Sequence, residues 1–600
     1  MIHSTHKIRE LNGGQLYNMF LSGAQRIYDH QKLLNKINVF PVADADTGTN
    51  LASTMRSIME ATIPTDNLKQ TAVAMADAAL TGARGNSGII FAQFLYGFSN
   101  EISDKETLDI HSFAESMKRA VIYAYEAIAN PVEGTILTVI KDWANYLDAL
   151  KDLIDDFIRL LVEAYKKAVE SLADTPNKLE VLARSHVVDA GAKGFVVWLE
   201  GIVDSLIHGD SKIHTSIAAP ARDEDTQVQI PHDVITFRYC TEALIHGKSL
   251  DKLGIRETLS SYGDSLVVAG SNKKVRVHLH TDAPAEALSL LQQFGDITFQ
   301  KVDDMVMEHE ILVNRKWDTA ILTDSSCDLP EALLDRYQIH VVPLSVHFGA
   351  SYFLDRITIN PSQFYQILER SKVNPSSSQP ATKDFQNKYD FLCTHYQQVI
   401  GIHISQAMSG TFSNSEIASR DVALRAGKEI RVLNSRSVTA GLGLIVLRIA
   451  REFEAGKSYS EVLSCIDSWI KKTEIRVTVP TLKYIIRSGR VSHFKSFIAR
   501  MLDLKPIISV DKDGKAYLFS KSFTMKGSME KVVHDISRLL KHNKLWEYAI
   551  THADNPAGAE WYQTKMEQLT GKRPVFVDHA SPALVANTGP GVVCVSLVLE

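Results

Sequence analysis

The sequence predicts a multidomain protein: a helical region over 1–207, a linker over 208–231, a small α+β domain over 232–315 and an α/β region over 316–600. Three observations lead there. The 600 residues exceed what one core serves, and about 150 residues per domain gives three or four domains. Apolar residues recur at helical spacing through 8–205 and then give way to strict alternation, as in Lys274–His280. From Thr319 onward, short apolar runs alternate with helical stretches, the pattern of an α/β sheet.

The bulk composition narrows the class. Hydrophobic content of 45% and charged content of 22% suit a soluble globular protein. The net charge of −5, with no basic stripe carrying interleaved aromatics, argues against a nucleic-acid partner. The N-terminus has no signal-peptide core, and no run reaches the ~18 apolar residues of a membrane span. An integral membrane protein is therefore not expected, although peripheral contact stays open. The five cysteines are unpatterned, which suits a reducing, cytoplasmic compartment.

In the helical region, Leu11–Asn35 carries an apolar face of Leu16, Met19, Phe20, Ile27, Leu33 and Leu34. A turn follows, Asn38-Val39-Phe40-Pro41-Val42-Ala43-Asp44-Ala45-Asp46-Thr47-Gly48-Thr49-Asn50, and a helical pattern resumes at Leu51. Two carboxylates two residues apart suit Mg²⁺, which keeps coordination sites for substrate phosphates. Thr47 or Thr49 could cap the next helix, whose amides favour anions. Alone, the same residues also make an Asx-rich helix start. Thr81-Gly82-Ala83-Arg84-Gly85-Asn86-Ser87-Gly88 lets backbone approach phosphate, or equally ends a helix on a C-cap glycine. It lacks the Gly-Lys-Ser/Thr ending of a Walker loop. Asn130–Thr135 and Arg184–Gly194 are two further turns. The four turns either gather at one rim of a helical bundle or barrel, or are plain loops.

These motifs, with Glu133-Gly134-Thr135, resemble the kinase subunit of bacterial fatty acid kinase, whose N-terminal domain is similar to the ATP-binding subunit of dihydroxyacetone kinases. The resemblance covers about 8–205. It implies an all-α helical barrel that holds ATP with two Mg²⁺ ions at its rim. Asp44 and Asp46 would be metal ligands, and Asn38 stands where the relatives carry a further aspartate. Thr47, Asn50, Asn86 and Ser87 would lie at the phosphates, and Thr135 with the Asp189/Gly191 turn near the nucleotide. Ala43 and Ala45 depart from the family's Pro and Gly without removing a ligand atom.

In the middle domain, Val275, Val277 and Leu279 share one strand face, and Arg276, His278 and His280 the other. With Cys240 in a strand-like run, two histidines on one face suit Zn²⁺, or are surface histidines beside a buried cysteine. The resemblance extends through Tyr239-Cys240-Thr241-Glu242 and Val277–Asp282, and it implies a structural zinc on Cys240, His278 and His280.

In the last region, Ala320–Asp324, His340–Val346, Val399–Ile404, Glu429–Asn434 and Tyr548–His552 read as strands of a largely parallel sheet. Asn374–Pro380, Ile404–Phe412 and Asn434–Gly441 are rich in small hydroxyl residues. They form either three helix N-caps or an anion clamp for a carboxylate or phosphate that Arg490 could complete. Thr323–Leu329, Ser377-Ser378-Gln379-Pro380, Ser409-Gly410-Thr411, Ser488-Gly489-Arg490 and Thr588-Gly589-Pro590-Gly591 resemble the DegV family over about 319–600. That resemblance implies two α/β lobes around a fatty acid. Ser377, Ser378, Ser409 and Gly410 would face its carboxylate, and Arg490 and His552 the head group. Ser377 stands for a Thr, and Asn587 for a His found in many relatives.

The expectation is a fused, ATP-dependent fatty acid kinase that makes acyl phosphate on a bound fatty acid. Asp44, Asp46, Arg490 and His552 would be its catalytic groups. A homodimer and an acyltransferase that uses acyl phosphate are the expected partners. Two rivals stand beside it: a dihydroxyacetone-type kinase, and a lipid-binding or regulatory protein without kinase activity.

Overall fold

The structure is a computed structural model that describes residues 7–40, 46–208, 235–349, 351–489 and 504–600. Asp44, Arg490 and nearly all of the expected linker lie outside the described residues. The chain forms two compact units, Met1–His309 and Glu310–Glu600.

The first unit begins with helices running from Gly13–Asp29 to Ala190–His208. Their starts are set by short polar side chains: Asn12, Asn67, Asp109 and Asp156 each accept an amide of the first turn. The region is not purely helical. Glu10–Asn12 and Thr107–Asp109 pair antiparallel, and each ends on an N-cap residue, so the ribbon fixes two helix starts at once. The core is aromatic. Phe195 stacks on Trp198 and meets the edges of Phe94 and Trp143 at centroid distances of 5.6–6.2 Å. Helices Gly13–Asp29 and Ala190–His208 approach closely because Gly23 faces Trp198; a Cβ there would stand 2.4 Å from Trp198 Cδ1.

A four-stranded antiparallel sheet completes this unit, in the order Asp264–Gly270, Lys274–Thr281, Tyr239–His246, Asp296–Asp304. One face buries Ala243, Ile245, Val275, Val277 and Leu279 in a core with helices Lys252–Leu259 and Pro284–Leu291. Strand Asp264–Gly270 extends its ladder onto the helical region, through Val268 N to Ala127 O (2.8 Å) and Ala129 N to Leu266 O (3.1 Å). Gln93 Oε1 accepts the buried Gly270 amide at 2.8 Å, and Lys274 reaches Asp77 at 2.7 Å. Sheet and helices are thus joined by buried hydrogen bonds in one unit.

The second unit carries a four-stranded parallel sheet, in the order Glu429–Asn434, Gln398–His403, Thr319–Asp324, Ile339–Val342. Its six-stranded sheet corrects the expected largely parallel arrangement. There only Leu545–His552 and Val577–His579 pair in parallel, and the other pairs are antiparallel. Strands Lys505–Val510 and Ala516–Ser522 are joined by a short turn with Gly514 at φ 82°, which permits only an antiparallel return. Helix Thr439–Glu454 is buried on nearly all sides. It shares one core with Ile321 and Ile400 of the first sheet and Ala549 and Val598 of the second.

Candidate functional site

The Asp46 turn is held from behind. Asn35 Oδ1 accepts the Thr49 amide, and Asn35 and Gln31 both donate to Thr49 Oγ1, all at 3.0 Å. Helix Thr47–Ala61 starts four residues earlier than its apolar pattern implies. Thr47 is its first residue and is buried, so neither threonine caps it. Asp46 takes the cap position without a capping bond from its side chain. Its carboxylate is therefore not spent on its own helix, which removes the Asx-cap explanation for that residue. Asn38 and Asn50 are buried beside it in sequence.

The other turns converge on this one. The glycine-rich stretch is mostly helical: only Ala83 and Arg84 separate helices Leu68–Gly82 and Gly85–Glu101. Gly85 has φ 57°, and a Cβ on it would stand 2.3 Å from Asn50 Nδ2. A Cβ on Gly191 would stand 2.6 Å from Ser87 Oγ and 3.4 Å from Ile136 Cβ, next to Thr135. Only glycine allows these approaches. Asp189 Oδ1 caps the last helix through the Ala192 amide at 2.7 Å, and burial raises its carboxyl to about 6 against the pull of the Ala192 and Ile136 amides. Thr135 Oγ1 donates to Val132 O at 2.8 Å. Among the described residues, Asn86 Oδ1 is buried without a hydrogen-bond partner. A neutral amide oxygen, a carboxylate and a helix N-terminus at one rim fit a hydrated divalent cation with phosphate.

The polar face of the middle sheet covers this rim, a placement that motif spacing does not reveal. Glu242 Oε1 accepts the Gly85 amide at 2.6 Å, and its Oε2 accepts Arg276 Nη2 at 2.6 Å. Both side chains of that ion pair are 1% exposed. Burial opposes the charge, but Arg276, with His278 adding, holds the Glu242 carboxyl well below the usual range. The Gly85 amide is thus already occupied, leaving the side chains of Asn86 and Ser87 for a ligand. Glu242 belongs to the Tyr239–Glu242 motif, but a strand position alone does not disclose a partner 157 residues away.

Cys240, His278 and His280 meet on the same face, with one ligand atom from each within 4.8 Å of the others. The two His Nε2 atoms are 3.3 Å apart. Each Nδ1 faces a carboxylate: Glu242 at 3.7 Å for His278 and Asp264 at 3.3 Å for His280. Cys240 Sγ lies 3.8 Å from His278 Nδ1, so the three side chains form a cluster of the donor types that hold a metal ion. The donor set fits such an ion through three residues. Asp46 lies within electrostatic range of Cys240 and His280.

In the second unit the three hydroxyl-rich stretches are linked by hydrogen bonds, the second to the third through the Ser405 amide to Ser437 O (2.9 Å) and the Gln406 amide to Asn434 Oδ1 (3.2 Å). Gln379 Oε1 accepts the Gly410 amide at 3.2 Å, joining Ser377-Ser378-Gln379 to Ser409-Gly410-Thr411. Ser378 Oγ meets His347 Nε2 at 2.9 Å, and Ser409 Oγ meets Thr411 Oγ1 at 2.8 Å. Asn587 Nδ2 donates to Ser377 Oγ at 2.8 Å, so the departure from His still serves the clamp. The third stretch turns inward: Thr439 is bonded to Asp328 and Thr551, and Ser435 and Ser437 are buried. The His552 and His579 rings pack tilted by 59° with centroids 4.4 Å apart, and His552 Nδ1 accepts the Asn555 amide at 3.3 Å. Burial and then His579 lower its pKa, so it is neutral.

Beneath the clamp lies a carboxylate cluster that carried no role in the sequence. Asp328 accepts Thr439 Oγ1 (2.5 Å) and the Ser581 amide (2.9 Å), with Arg356 at 3.8 Å. Asp355 accepts Ser325 Oγ (2.6 Å) and the Ala583 amide (2.9 Å). Burial raises these carboxyls to about 7 and about 6.

Comparison with known proteins accords with this arrangement. Residues 41–204 match the DAK2 domain, 236–312 the FakA-like middle domain of fatty acid kinase, and 318–600 the uncharacterised-protein family DegV. An uncharacterised protein of Staphylococcus saprophyticus is 33% identical over 399 residues, covering 63% of this chain and 71% of the relative. One from Staphylococcus aureus is 31% identical over 401 residues, with the same coverage. Among solved structures, a fatty-acid-binding DegV family protein from Thermus thermophilus covers 47% of this chain and 100% of its own, at 25% identity and TM-score 0.44. DegV of Bacillus subtilis, described as a fatty acid binding protein, covers 47% and 99% at 23% identity and TM-score 0.43.

The buried charges lend themselves to direct tests. Removing the Glu242 carboxylate alone, as Glu242→Ala, strips the buried Arg276 of this counter-ion, and costs about 3–5 kcal/mol in urea unfolding of the full chain. The double variant Glu242→Met, Arg276→Met recovers most of that loss, because no charge is stranded. Equal instability of the two variants would contradict it. For Asp328, a raised native pKa means that its contribution is complete below about pH 4 and is lost as pH rises through about 7. Asp328→Asn should therefore melt above the parent protein at pH 8, with the gap closing towards pH 5 in thermal melts.

The three matches run in the same order as the helical rim, the sheet that covers it and the hydroxyl clamp. The chain belongs to the family that joins a DAK2 domain to the FakA-like middle domain of fatty acid kinase, and it carries a DegV family domain in the same polypeptide.

Proposed function

We propose that this protein is an ATP-dependent fatty acid kinase with its acyl carrier fused in cis, transferring the γ-phosphoryl group to a fatty carboxylate. The observation that carries the reading is the close approach of Asn50 to Gly85 and of Ser87 to Gly191, beside an Asn86 oxygen that is buried without a partner among the described residues, in a chain that also holds a hydroxyl clamp. Mg²⁺, when bound, supplies charge neutralisation at the phosphates. Asp44 and Asp46 would hold it, with Asn38 adjoining, and Thr47, Asn50, Asn86, Ser87, Thr135, Asp189 and Gly191 would line the nucleotide.

Ser377, Ser378, Ser409 and the Gly410 region orient the substrate carboxylate, with Arg490 and His552 assigned to its head group. A carboxylate is already ionised at neutral pH, so this chemistry needs position more than a strong base. A new oxygen–phosphorus bond forms as the β–γ bond breaks, leaving acyl phosphate and ADP. Fusion raises the effective concentration of the fatty acid, the phosphoryl acceptor, at the kinase site. No described helix is long and apolar enough to cross a membrane. The reading also assigns a homodimer, an acyltransferase as the consumer of the product, and a structural zinc on Cys240, His278 and His280.

Labelled ATP tests the reaction. With Mg²⁺ and oleate the full chain should form labelled acyl phosphate, and Asp46→Asn should reduce the rate by at least about a hundredfold. Transfer to dihydroxyacetone alone, or tight fatty acid binding without ATP turnover, would replace the reading with one of its rivals. Native mass spectrometry tests the metal: one zinc per chain is expected, lost in Cys240→Ala, and an unchanged mass shift in that variant would remove the cysteine from the ligand set.

A further inference from the structure

We propose that Lys301 is the cation that grips the terminal phosphate of the nucleotide, so that the polar face of the middle sheet supplies half of the phosphoryl-transfer site. The proposal rests on the kinase reading above and names a residue that the nucleotide motifs do not contain.

Charge is the starting point. The rim groups described above are carboxylates, amides and hydroxyls, and a phosphate chain also calls for a fixed positive group. The sheet face lies directly over that rim, since Glu242 bonds the Gly85 amide at 2.6 Å. Lys301 is paired with Glu242 across the ladder, so its side chain leaves the sheet on the same face, about 5 Å away. Cys240 is likewise paired with Asp303, which places a Cys–Asp and a Glu–Lys pair side by side. Asp46 is within electrostatic range of Lys301, which brings the amine into the region of the carboxylate turn.

Two cations share this face, and they differ in freedom. Arg276 is 1% exposed, bonded to Glu242 and stacked on Phe299 with its guanidinium 4.4 Å from the ring centroid. It is locked as the counter-ion of Glu242. Lys301 is 26% exposed and its ion-pair partner Asp303 is 29% exposed. That pair is less enclosed than Arg276 and Glu242, and the flexible ammonium suits a point contact with phosphate. Burial works against the charge, yet Asp303, Glu242 and Asp46 outweigh it and keep the amine protonated. Asp303 then acts as the resting partner that holds Lys301 in place until the nucleotide arrives.

Calorimetric binding of Mg²⁺ with ADP, and with the β,γ-imido analogue of ATP, separates this role from a structural one. Lys301→Met should weaken the ATP analogue about tenfold while changing ADP by less than about twofold, because the contact is to the terminal phosphate. Its kcat for phosphoryl transfer should fall about a hundredfold, and Lys301→Arg should regain part of both losses. The double variant Lys301→Met, Asp303→Asn leaves no unpaired acid and should behave as Lys301→Met, with a melting temperature near that of the parent. A parent chain that binds neither nucleotide overturns the kinase reading and this proposal with it. A parent chain that binds both, beside a Lys301→Met variant with unchanged analogue affinity and rate, overturns the Lys301 role alone.

Discussion

The buried carboxylate of Glu242 is the constraint on which the nucleotide end of this protein depends. An isolated charge in such a place costs several kcal/mol, and Arg276 and the Gly85 amide together offset that cost. The pairing has a second effect. It uses the sheet to cap a helix whose own N-cap residue, Arg84, makes no capping bond with its side chain. The helix that presents Asn86 and Ser87 is therefore oriented by a strand far away in sequence. Removing the sheet would expose an uncapped helix end, so the helical region and the middle domain are energetically one object.

The same face concentrates chemistry. Cys240, His278 and His280 gather beside Glu242, while Lys301 and Asp303 occupy the next strand. Alternation along three antiparallel strands explains this. Aliphatic residues at every second position bury one side against two helices, and the polar residues between them are left on the other. The acyl end follows a different rule. Its clamp is built from loops and short strand ends, and its hydroxyls are bonded to one another, to a histidine and to amides rather than to charges.

Much of this was legible in the sequence where the signal is local. The helical period located the N-terminal helices, the Lys274–His280 alternation placed both histidines on one face, and the glycines marked the close approaches at Gly85 and Gly191. Long-range partners were not legible. Glu242 and Lys301 look like ordinary strand residues until the register sets them opposite each other and over Gly85. Helix Thr47–Ala61 begins earlier than its apolar pattern because its first turn is small and polar and packs against Asn35 and Gln31. The six-stranded sheet is mostly antiparallel because a short turn and the pairing of the C-terminal strand set its direction, and hydrophobic runs do not encode direction.

Helix Thr439–Glu454 has one last consequence. It lies in a core shared by both sheets of the second unit, and Asp328 ties Thr439 to the Ser581 amide across that core. Lobes stitched through a common interior cannot part like a pair of jaws without breaking that packing. A long ligand would therefore have to thread in end-first through a mouth, so its exchange would be governed by the motion of a few loop residues and not by a hinge.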